Sequence, residues 1–249
     1  MKALILAAGY ATRLYPLTLK HPKPLLKVGG KTIVEHIVEK LENISELNEI
    51  FIVTNNKFYS HFVKLNNNLT SSKKITIVND GTLSNEDRLG AIGDINFVVK
   101  KHNIQENLLI IGGDNLFEDN LKNIINYFQQ KQTSSILLND IKCFKLAKQL
   151  GIVSVNKNNK IIEFIEKPEN PKSTLAATLV YMLKKEDLEM LQEALDNKFA
   201  DRAGDFIKYL SEKKEVHALT LEGTWFDIGN MSQLKEAEKY FDNKNKLID

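Results

Sequence analysis

Short apolar runs and helical patterns alternate along the first half of the chain. The apolar runs are typical of buried strands and predict strands at residues 2–6, 50–53, 75–78 and 108–111. Apolar residues at helical spacing between these runs predict helices at about 32–41, 57–65 and 89–101. Thr32 and Glu35 have the spacing of a capping box at the start of the first helix. Strands separated by helices indicate a parallel sheet with right-handed crossovers.

The second half of the chain has a different rhythm. Two apolar segments around the polar turn at 156–159 predict a β-hairpin formed by residues 151–155 and 160–165. The remaining patterns predict strands at 176–183 and 216–221, and helices at 185–196, 202–213 and about 231–242. No long linker or internal repeat interrupts these elements. We therefore expect one compact α/β domain with a β-rich insertion.

Composition narrows the class of protein. Of the 249 residues, 43% are hydrophobic and 27% charged, which is ordinary for a folded globular protein. The formal net charge of +2 predicts no nucleic-acid or membrane partner. No apolar run reaches the roughly 18 residues of a membrane span, and the N-terminal run continues into a polar loop rather than a cleavage site. The single cysteine excludes an intramolecular disulfide and a cysteine zinc cluster. We expect a cytoplasmic protein.

The loop after the first strand carries the strongest functional signal. Ala7-Ala8-Gly9 ends the apolar run, and Arg13 and Lys23 follow, the latter between two prolines. Small residues let backbone N–H groups approach a phosphate, and two cations neutralise its charge. Each cation taken alone is equally well explained by an exposed surface position. The loop matches neither the P-loop nor the dinucleotide-binding glycine pattern. Together these features predict a nucleotide-phosphate site.

Acidic residues follow strands elsewhere in the chain. Asp114 comes after an apolar strand and two glycines, and Asp227 has a similar strand-to-loop position. If the two aspartates converge they suit Mg²⁺, which prefers oxygen ligands, although such aspartates also serve as helix caps or turn residues. Glu166-Lys167-Pro168 closes the hairpin, where an acid–base pair is usually solvated. The five histidines lack metal-ligand spacing, and no Gly-x-Ser-x-Gly elbow is present.

In combination, residues 6–18 and 22–25 resemble the signature of the sugar-1-phosphate nucleotidyltransferases. This family includes glucose-1-phosphate thymidylyltransferase and mannose-1-phosphate guanylyltransferase. Gly113-Asp114, Glu166-Lys167-Pro168 and the segment 225–229 recur in the order of the family. The resemblance implies a Rossmann-like three-layer αβα sandwich with a mixed, mostly parallel central sheet and a small β-rich sugar-binding insertion. It also implies one domain, residues 1–249, in which 1–115 mainly bind nucleotide and 140–230 mainly bind the sugar phosphate.

The resemblance further implies a role for each matching residue. The residues expected to bind the nucleotide are Leu6, Ala7, Ala8, Gly9, Tyr10, Ala11, Thr12, Asn85, Leu89, Gly90 and Asp114. Catalysis falls to Arg13 on the leaving pyrophosphate, Lys23 on the α-phosphate and Lys167 on the sugar phosphate. Sugar-phosphate binding falls to Glu166, Lys167 and Thr178, and Mg²⁺ binding to Asp114 and Asp227.

The implied reaction joins an NTP and a sugar 1-phosphate into an NDP-sugar and pyrophosphate, with glucose-1-phosphate thymidylyl transfer as the leading example. Ala11 replaces a usual glycine, and the segments 85–94 and 176–181 depart from the thymidylyltransferase pattern. Cytidylyl, uridylyl or guanylyl transfer, phosphocholine as the acceptor, and a catalytically silent regulatory protein are therefore alternatives. The sequence shows no left-handed β-helix repeats, so we expect no acetyltransferase activity. It leaves the formation of a homo-oligomer open.

Overall fold

The computed structural model describes residues 1–197 and 202–245. The strands are β1 Lys2–Leu6, β2 Lys27–Val28, β3 Lys31–Thr32, β4 Glu49–Thr54, β5 Lys74–Asn79, β6 Leu108–Gly112, β7 Asn115–Phe117, β8 Ser135–Asp140, β9 Gly151–Val155, β10 Ile161–Glu166, β11 Leu175–Leu183, β12 His217–Thr220 and β13 Trp225–Asp227. The helices are α1 Ile33–Glu42, α2 Tyr59–Asn66, α3 Gly90–Lys101, α4 Lys122–Lys131, α5 Phe144–Ala147, α6 Lys185–Leu188, α7 Met190–Asp196, α8 Ala203–Lys213 and α9 Met231–Asn245.

One mixed sheet organises these elements. Its main path runs β10-β9-β11-β6-β1-β4-β5, and β8 joins β12 to β11. β1 pairs in parallel with β4 and with β6, and β4 pairs in parallel with β5. β11 then runs antiparallel to β6, and β8 antiparallel to β11. The first half of the chain thus forms the predicted parallel part of the sheet. The predicted hairpin, β9 and β10, lies at the opposite edge of the sheet from β5.

Helices cover both faces of the sheet. Successive side chains of a strand point to opposite faces, so Ile5 of β1 packs in the layer of α1 and α4 while Leu4 packs in the layer of α3 and α8. Each fully buried aliphatic side chain of this kind contributes about 1.5–3 kcal/mol to the free energy of unfolding. The fold is therefore the three-layer αβα sandwich expected from the resemblance. No helix of the described residues is long and apolar enough to cross a membrane.

The start of α1 confirms a prediction in atomic detail. Thr32 Oγ1 accepts a hydrogen bond from the Glu35 backbone N–H at 3.2 Å, and Glu35 Oε2 accepts one from the Thr32 N–H at 2.6 Å. This reciprocal pair is the capping box, and a cap of this kind stabilises a helix by about 1 kcal/mol. It anchors α1 directly after the segment that contains Lys23.

Several elements differ from the sequence-based predictions. The single helix predicted for 185–196 is interrupted at Glu189 and forms α6 and α7. Leu188, Leu191 and Ala194 keep one apolar face across the break, so the spacing does not reveal it. The predictions also lacked β2, β3, β7, α4, β8, α5 and β13. β7 and β13 have three residues each, which is too short for a periodic pattern.

Candidate active site

The site lies where the order of the strands reverses. β4 and β5 follow β1 on one side, whereas β6 lies on the other, and such reversal points form ligand crevices in open α/β sheets. Leu6 is paired with Gly112, and the Gly113 N–H donates to the Leu6 carbonyl at 2.9 Å. A Cβ atom on Gly113 would lie 2.7 Å from that carbonyl oxygen, so only glycine permits this approach. The loops after β1 and β6 therefore meet at the same edge.

A two-stranded ladder brings the two aspartates together. β13 pairs antiparallel with β7 so that Asp227 lies opposite Asn115, and the Ile228 N–H donates to the Asp114 carbonyl at 3.1 Å. Trp225 Nε1 donates to Asn115 Oδ1 at 2.6 Å, which fixes the indole beside the ladder. Lys23 Nζ lies 2.5 Å from Asp114 Oδ2. Lys23 and Asp114 are 91 positions apart in the sequence, and Asp227 comes from a strand still farther along the chain. The fold nevertheless brings the three residues into one charged cluster.

The electrostatics of this cluster suit a divalent cation. Desolvation raises the pKa of Asp227 to about 6, and the charge of Asp114 acts in the same direction, while Lys23 and Arg13 oppose both. Adjacent carboxylates that are costly to ionise together favour a cation between them. Within residues 1–197 and 202–245, no group of three or more His, Cys, Asp or Glu side chains is placed to hold a metal. Two carboxylates fit Mg²⁺, which retains waters and shares substrate phosphates.

A cavity of about 260 Å³ adjoins the aspartates on the side of the hairpin. Arg13, Asp114, Glu166, Lys167 and Asp227 line it together. The Lys167 backbone has φ 50° and its N–H donates to the Leu150 carbonyl at 2.9 Å. This left-handed conformation is unusual for a residue with a side chain, and such strain concentrates at functional sites.

Glu166 is held at the wall of this cavity by an arginine. Arg202 Nη1 lies 3.3 Å from Glu166 Oε1. Burial raises the pKa of Glu166, although the charges of Arg202 and Lys167 oppose that effect. The wall therefore offers a hydrogen-bonding carboxyl group next to two cations, an arrangement suited to a polar, phosphorylated ligand.

A second cavity, of about 290 Å³, lies on the other side of Asp114. Its walls include Leu6, Ala8 and Gly9 from the end of β1, and Gly90 from the start of α3. The two cavities share Asp114, Leu179, Arg202 and Ala203. Leu179 has φ 56° within the bulge where β11 passes from β6 toward β9. The carboxylate cluster thus stands at the junction of two compartments.

Four of the predicted site residues, Ala7, Tyr10, Asn85 and Leu89, line neither cavity. Ala7 and Tyr10 are buried, and the Tyr10 hydroxyl is 3.2 Å from Thr82 Oγ1. Asn85 and Leu89 lie in the loop before α3, with Leu89 39% exposed. The buried Ala7 and Tyr10 help to hold the loop after β1 in place. Direct contact of these four residues with a nucleotide stays a prediction.

Three further predicted residues are partly occupied by contacts within the protein. Ala11 and Thr12 belong to the turn that carries Arg13, and the Ala11 carbonyl accepts a hydrogen bond from Thr18 Oγ1 at 2.8 Å. Thr178 lines the cavity of about 260 Å³, but its hydroxyl donates to the Leu137 carbonyl at 2.9 Å. The contribution of these residues to binding stays a prediction.

Sequence reasoning missed other members of the site. Asn115 positions Trp225, and Arg202 reaches both cavities. Asn115 directly follows Asp114, so its position after a strand was an available signal. Arg202 precedes a helix far from every recognised segment, and no spacing pattern points to it.

A larger groove of about 640 Å³ adjoins the cavity of about 260 Å³ and shares Gln149, Leu150, Trp225 and Asp227 with it. Its other walls come from α9 and from the region after β8. The groove is larger, but Arg13, Lys167 and Asp114 converge on the smaller cavity. We assign the chemistry to the smaller cavity for that reason.

Comparison with known proteins agrees with this geometry. The family model described as "Nucleotidyl transferase" matches residues 2–244. The "Bifunctional protein GlmU" of Methanocaldococcus jannaschii is 30% identical over 245 residues, which cover 98% of this chain and 55% of that protein. The chain thus spans about half the length of the curated relatives that it matches.

Solved structures share the fold. A UDP-glucose pyrophosphorylase complexed with UDP-glucose superposes with a TM-score of 0.82 at 22% identity, covering 98% of each chain. A UTP-bound UGPase from Acinetobacter baumannii superposes with a TM-score of 0.78 at 19% identity, covering 99% of this chain and 97% of the other. The family model covers nearly the whole chain and defines the class as nucleotidyl transferase. Within it, the chain belongs to the family of sugar-1-phosphate nucleotidyltransferases.

Proposed function

We propose that the protein condenses an NTP with a sugar 1-phosphate to give an NDP-sugar and pyrophosphate. The observation that carries this proposal is the convergence of two cavities on the cluster of Lys23, Asp114 and Asp227. A phosphate oxygen of the sugar 1-phosphate attacks the α-phosphorus, the bond from that phosphorus to the bridging oxygen breaks, and pyrophosphate leaves. The nucleophile is already ionised near neutral pH, so the site needs no general base.

The residues of the chain orient the reactants and neutralise charge. In this proposal residues 1–115 mainly bind the nucleotide and residues 140–230 mainly bind the sugar phosphate. Lys23 leaves Asp114 to contact the α-phosphate, Arg13 binds the departing phosphates, and Lys167 holds the sugar phosphate. Asp114 and Asp227 would hold Mg²⁺, which supplies further neutralisation of phosphate charge when bound. Orientation and electrostatic stabilisation of this kind account for most of the rate gain in such transfers.

The proposal also concerns which NTP and which phosphorylated acceptor the protein uses. The resemblance predicts glucose-1-phosphate thymidylyl transfer, with cytidylyl, uridylyl and guanylyl transfer as alternatives. Glu166 and Lys167 in a cavity of about 260 Å³ support a sugar phosphate over phosphocholine, because a carboxylate accepts hydrogen bonds from sugar hydroxyls. The presence of Arg13, Lys23, Asp114, Lys167 and Asp227 supports an active enzyme over a silent regulatory protein.

A pyrophosphate-release screen tests the proposal. ATP, GTP, CTP, UTP and dTTP are each combined with glucose 1-phosphate, mannose 1-phosphate, N-acetylglucosamine 1-phosphate or phosphocholine, with Mg²⁺ or with EDTA. We expect turnover for at least one NTP with a sugar 1-phosphate, and its loss in EDTA. Nucleotide binding without turnover for any pair would favour the regulatory protein, and turnover with phosphocholine alone would favour that acceptor.

A further inference from the structure

In the proposed function, the cavity of about 290 Å³ holds the nucleotide. This nucleotide-side cavity contains an acidic side chain that has no role in the proposal above. Asp94 lies one turn into α3, on the same helix face as Gly90, and both residues line the cavity. Asp94 is only 6% exposed. A buried carboxyl group is costly unless its oxygens accept hydrogen bonds. In a ligand cavity it therefore favours ligands that donate hydrogen bonds to it.

A second carboxyl group completes this feature. Asp80 follows β5 and hydrogen-bonds Asp94 through their side chains. Asp80 Oδ1 also accepts hydrogen bonds from the Thr82 N–H at 2.7 Å and from Thr82 Oγ1 at 2.8 Å. Burial raises the pKa of Asp80, while its hydrogen bonds with Thr82 and Asp94 act in the opposite direction. The pair therefore places acidic carboxyl oxygens side by side next to the cavity.

The topology separates this pair from the phosphate end of the cavity. Asp114 follows β6 on one side of β1, whereas Asp80 follows β5, which lies beyond β4 on the other side. With the phosphates at Asp114, the base extends toward the start of α3. The part of a base farthest from its ribose is the Watson–Crick edge, so in this arrangement that edge faces the wall formed by Arg88, Gly90, Ala91 and Asp94.

The bases differ in what they offer such a wall. Cytosine, adenine and guanine each carry an exocyclic amino group on the Watson–Crick edge, and an acidic side chain accepts a hydrogen bond from an amino group of this kind. Uracil and thymine present a single N–H between two carbonyl oxygens, and carboxyl acceptors repel both carbonyls. We propose that Asp94, supported by Asp80, selects an NTP whose base carries an amino group. This inference rests on the proposed function and specifies one of its substrates: it favours the cytidylyl and guanylyl alternatives over thymidylyl or uridylyl transfer.

The test is an NTP panel with wild-type protein and matched variants. At a fixed sugar 1-phosphate, we expect kcat/KM for the best of CTP, GTP and ATP to exceed that for UTP and dTTP by about 10- to 100-fold. The ranking among CTP, GTP and ATP identifies the amino base. In Asp94→Asn the carboxamide donates a hydrogen bond to a carbonyl, so we expect the preference to shrink at least about tenfold toward UTP and dTTP.

Asp187→Asn is the matched control. Asp187 is 3% exposed and is bound by Ser134 Oγ and Lys214 Nζ, away from both cavities. We expect this variant to keep the wild-type order of nucleotides even where it loses stability. A change in Asp94→Asn that Asp187→Asn does not reproduce then reports base selection rather than general loss of a buried acid.

A binding assay separates failure of this inference from failure of the proposed function. CDP, GDP, ADP, UDP and dTDP are compared as competitors of a fluorescent nucleotide, which requires no turnover. Tighter binding of amino bases that Asp94→Asn abolishes supports the inference even without a catalytic product. UTP or dTTP as the best wild-type substrate, tightest binding of UDP or dTDP, or an unchanged nucleotide order in Asp94→Asn would each overturn it.

Discussion

The two sides of the candidate site are built in different ways. The proposed nucleotide side has small residues at the ends of parallel strands, such as Ala8, Gly9 and Gly112, beside the charged Arg88 and Asp94. The proposed sugar side has charged side chains from distant segments, among them Arg13, Glu166 and Lys167, and it shares Arg202 with the other cavity. In the proposed function, backbone groups at the strand ends bind the phosphate that every NTP shares, whereas side chains decide which base and which sugar are accepted.

Asp227→Asn breaks the junction between the two sides and has the largest expected effect. The substitution keeps the shape of the side chain but removes one charge from the proposed Mg²⁺ site, so we expect pyrophosphate release to fall about 100- to 1,000-fold. Circular dichroism and thermal unfolding measure whether the fold is retained. Asp242→Asn, at an exposed position of α9, is the control and keeps full activity. Near-normal turnover in Asp227→Asn would contradict its role.

Lys167→Met separates the two sides. A charge-assisted hydrogen bond contributes about 1.5–3 kcal/mol, so we expect kcat/KM for the sugar 1-phosphate to fall about 10- to 100-fold, with the Kd of the nucleotide unchanged. Steady-state kinetics and nucleotide titration measure these two quantities. Lys172→Met is the control, since Lys172 is exposed and lies 3.8 Å from Glu163. An equal loss of affinity for both substrates would show that the two sides are not independent.

The same contrast explains what the sequence could predict. The capping box of Thr32 and Glu35 and the position of Asp114 after β6 depend on neighbouring residues, and the structure confirms both. The pairing of β7 with β13 brings Asp227 to Asp114 and depends on contacts between segments far apart in the chain. Arg202 joins the cavities in the same way. Such contacts leave no local period, so only the resemblance to a family predicted the meeting of the two aspartates.

Glu49→Gln tests the parallel half of the sheet through pH. Burial opposes ionisation of Glu49 in β4, but hydrogen bonds from Lys2, Lys74 and Thr76 outweigh it and lower its pKa to about 2. Because the ordinary pKa of glutamate is about 4.3, ionised Glu49 stabilises the fold above that pH, and this contribution is lost as pH falls toward 2.

We expect Glu49→Gln to lower the free energy of unfolding by about 2 kcal/mol near pH 7, and the difference from wild type to vanish toward pH 2. Denaturant unfolding across this range measures it. Glu39→Gln removes an exposed ion pair with Lys31 and should change stability by less than about 1 kcal/mol. A pH-independent loss in Glu49→Gln would assign its effect to packing instead of charge.

Ala11→Gly probes strain on the nucleotide side and has the smallest expected effect. Ala11 has φ 48° and ψ 44°, a left-handed conformation that costs a residue with a Cβ atom about 1–2 kcal/mol. Glycine removes that strain but gains about 0.5–1 kcal/mol of entropy in the unfolded chain. We therefore expect a net stabilisation of about 0.5–1 kcal/mol, measured by denaturant unfolding. Ala194→Gly, within α7, should instead destabilise by at least about 1 kcal/mol. If both variants destabilise equally, the turn before Arg13 stores no strain, and the alanine at this position is as well suited to the loop as the glycine it replaces.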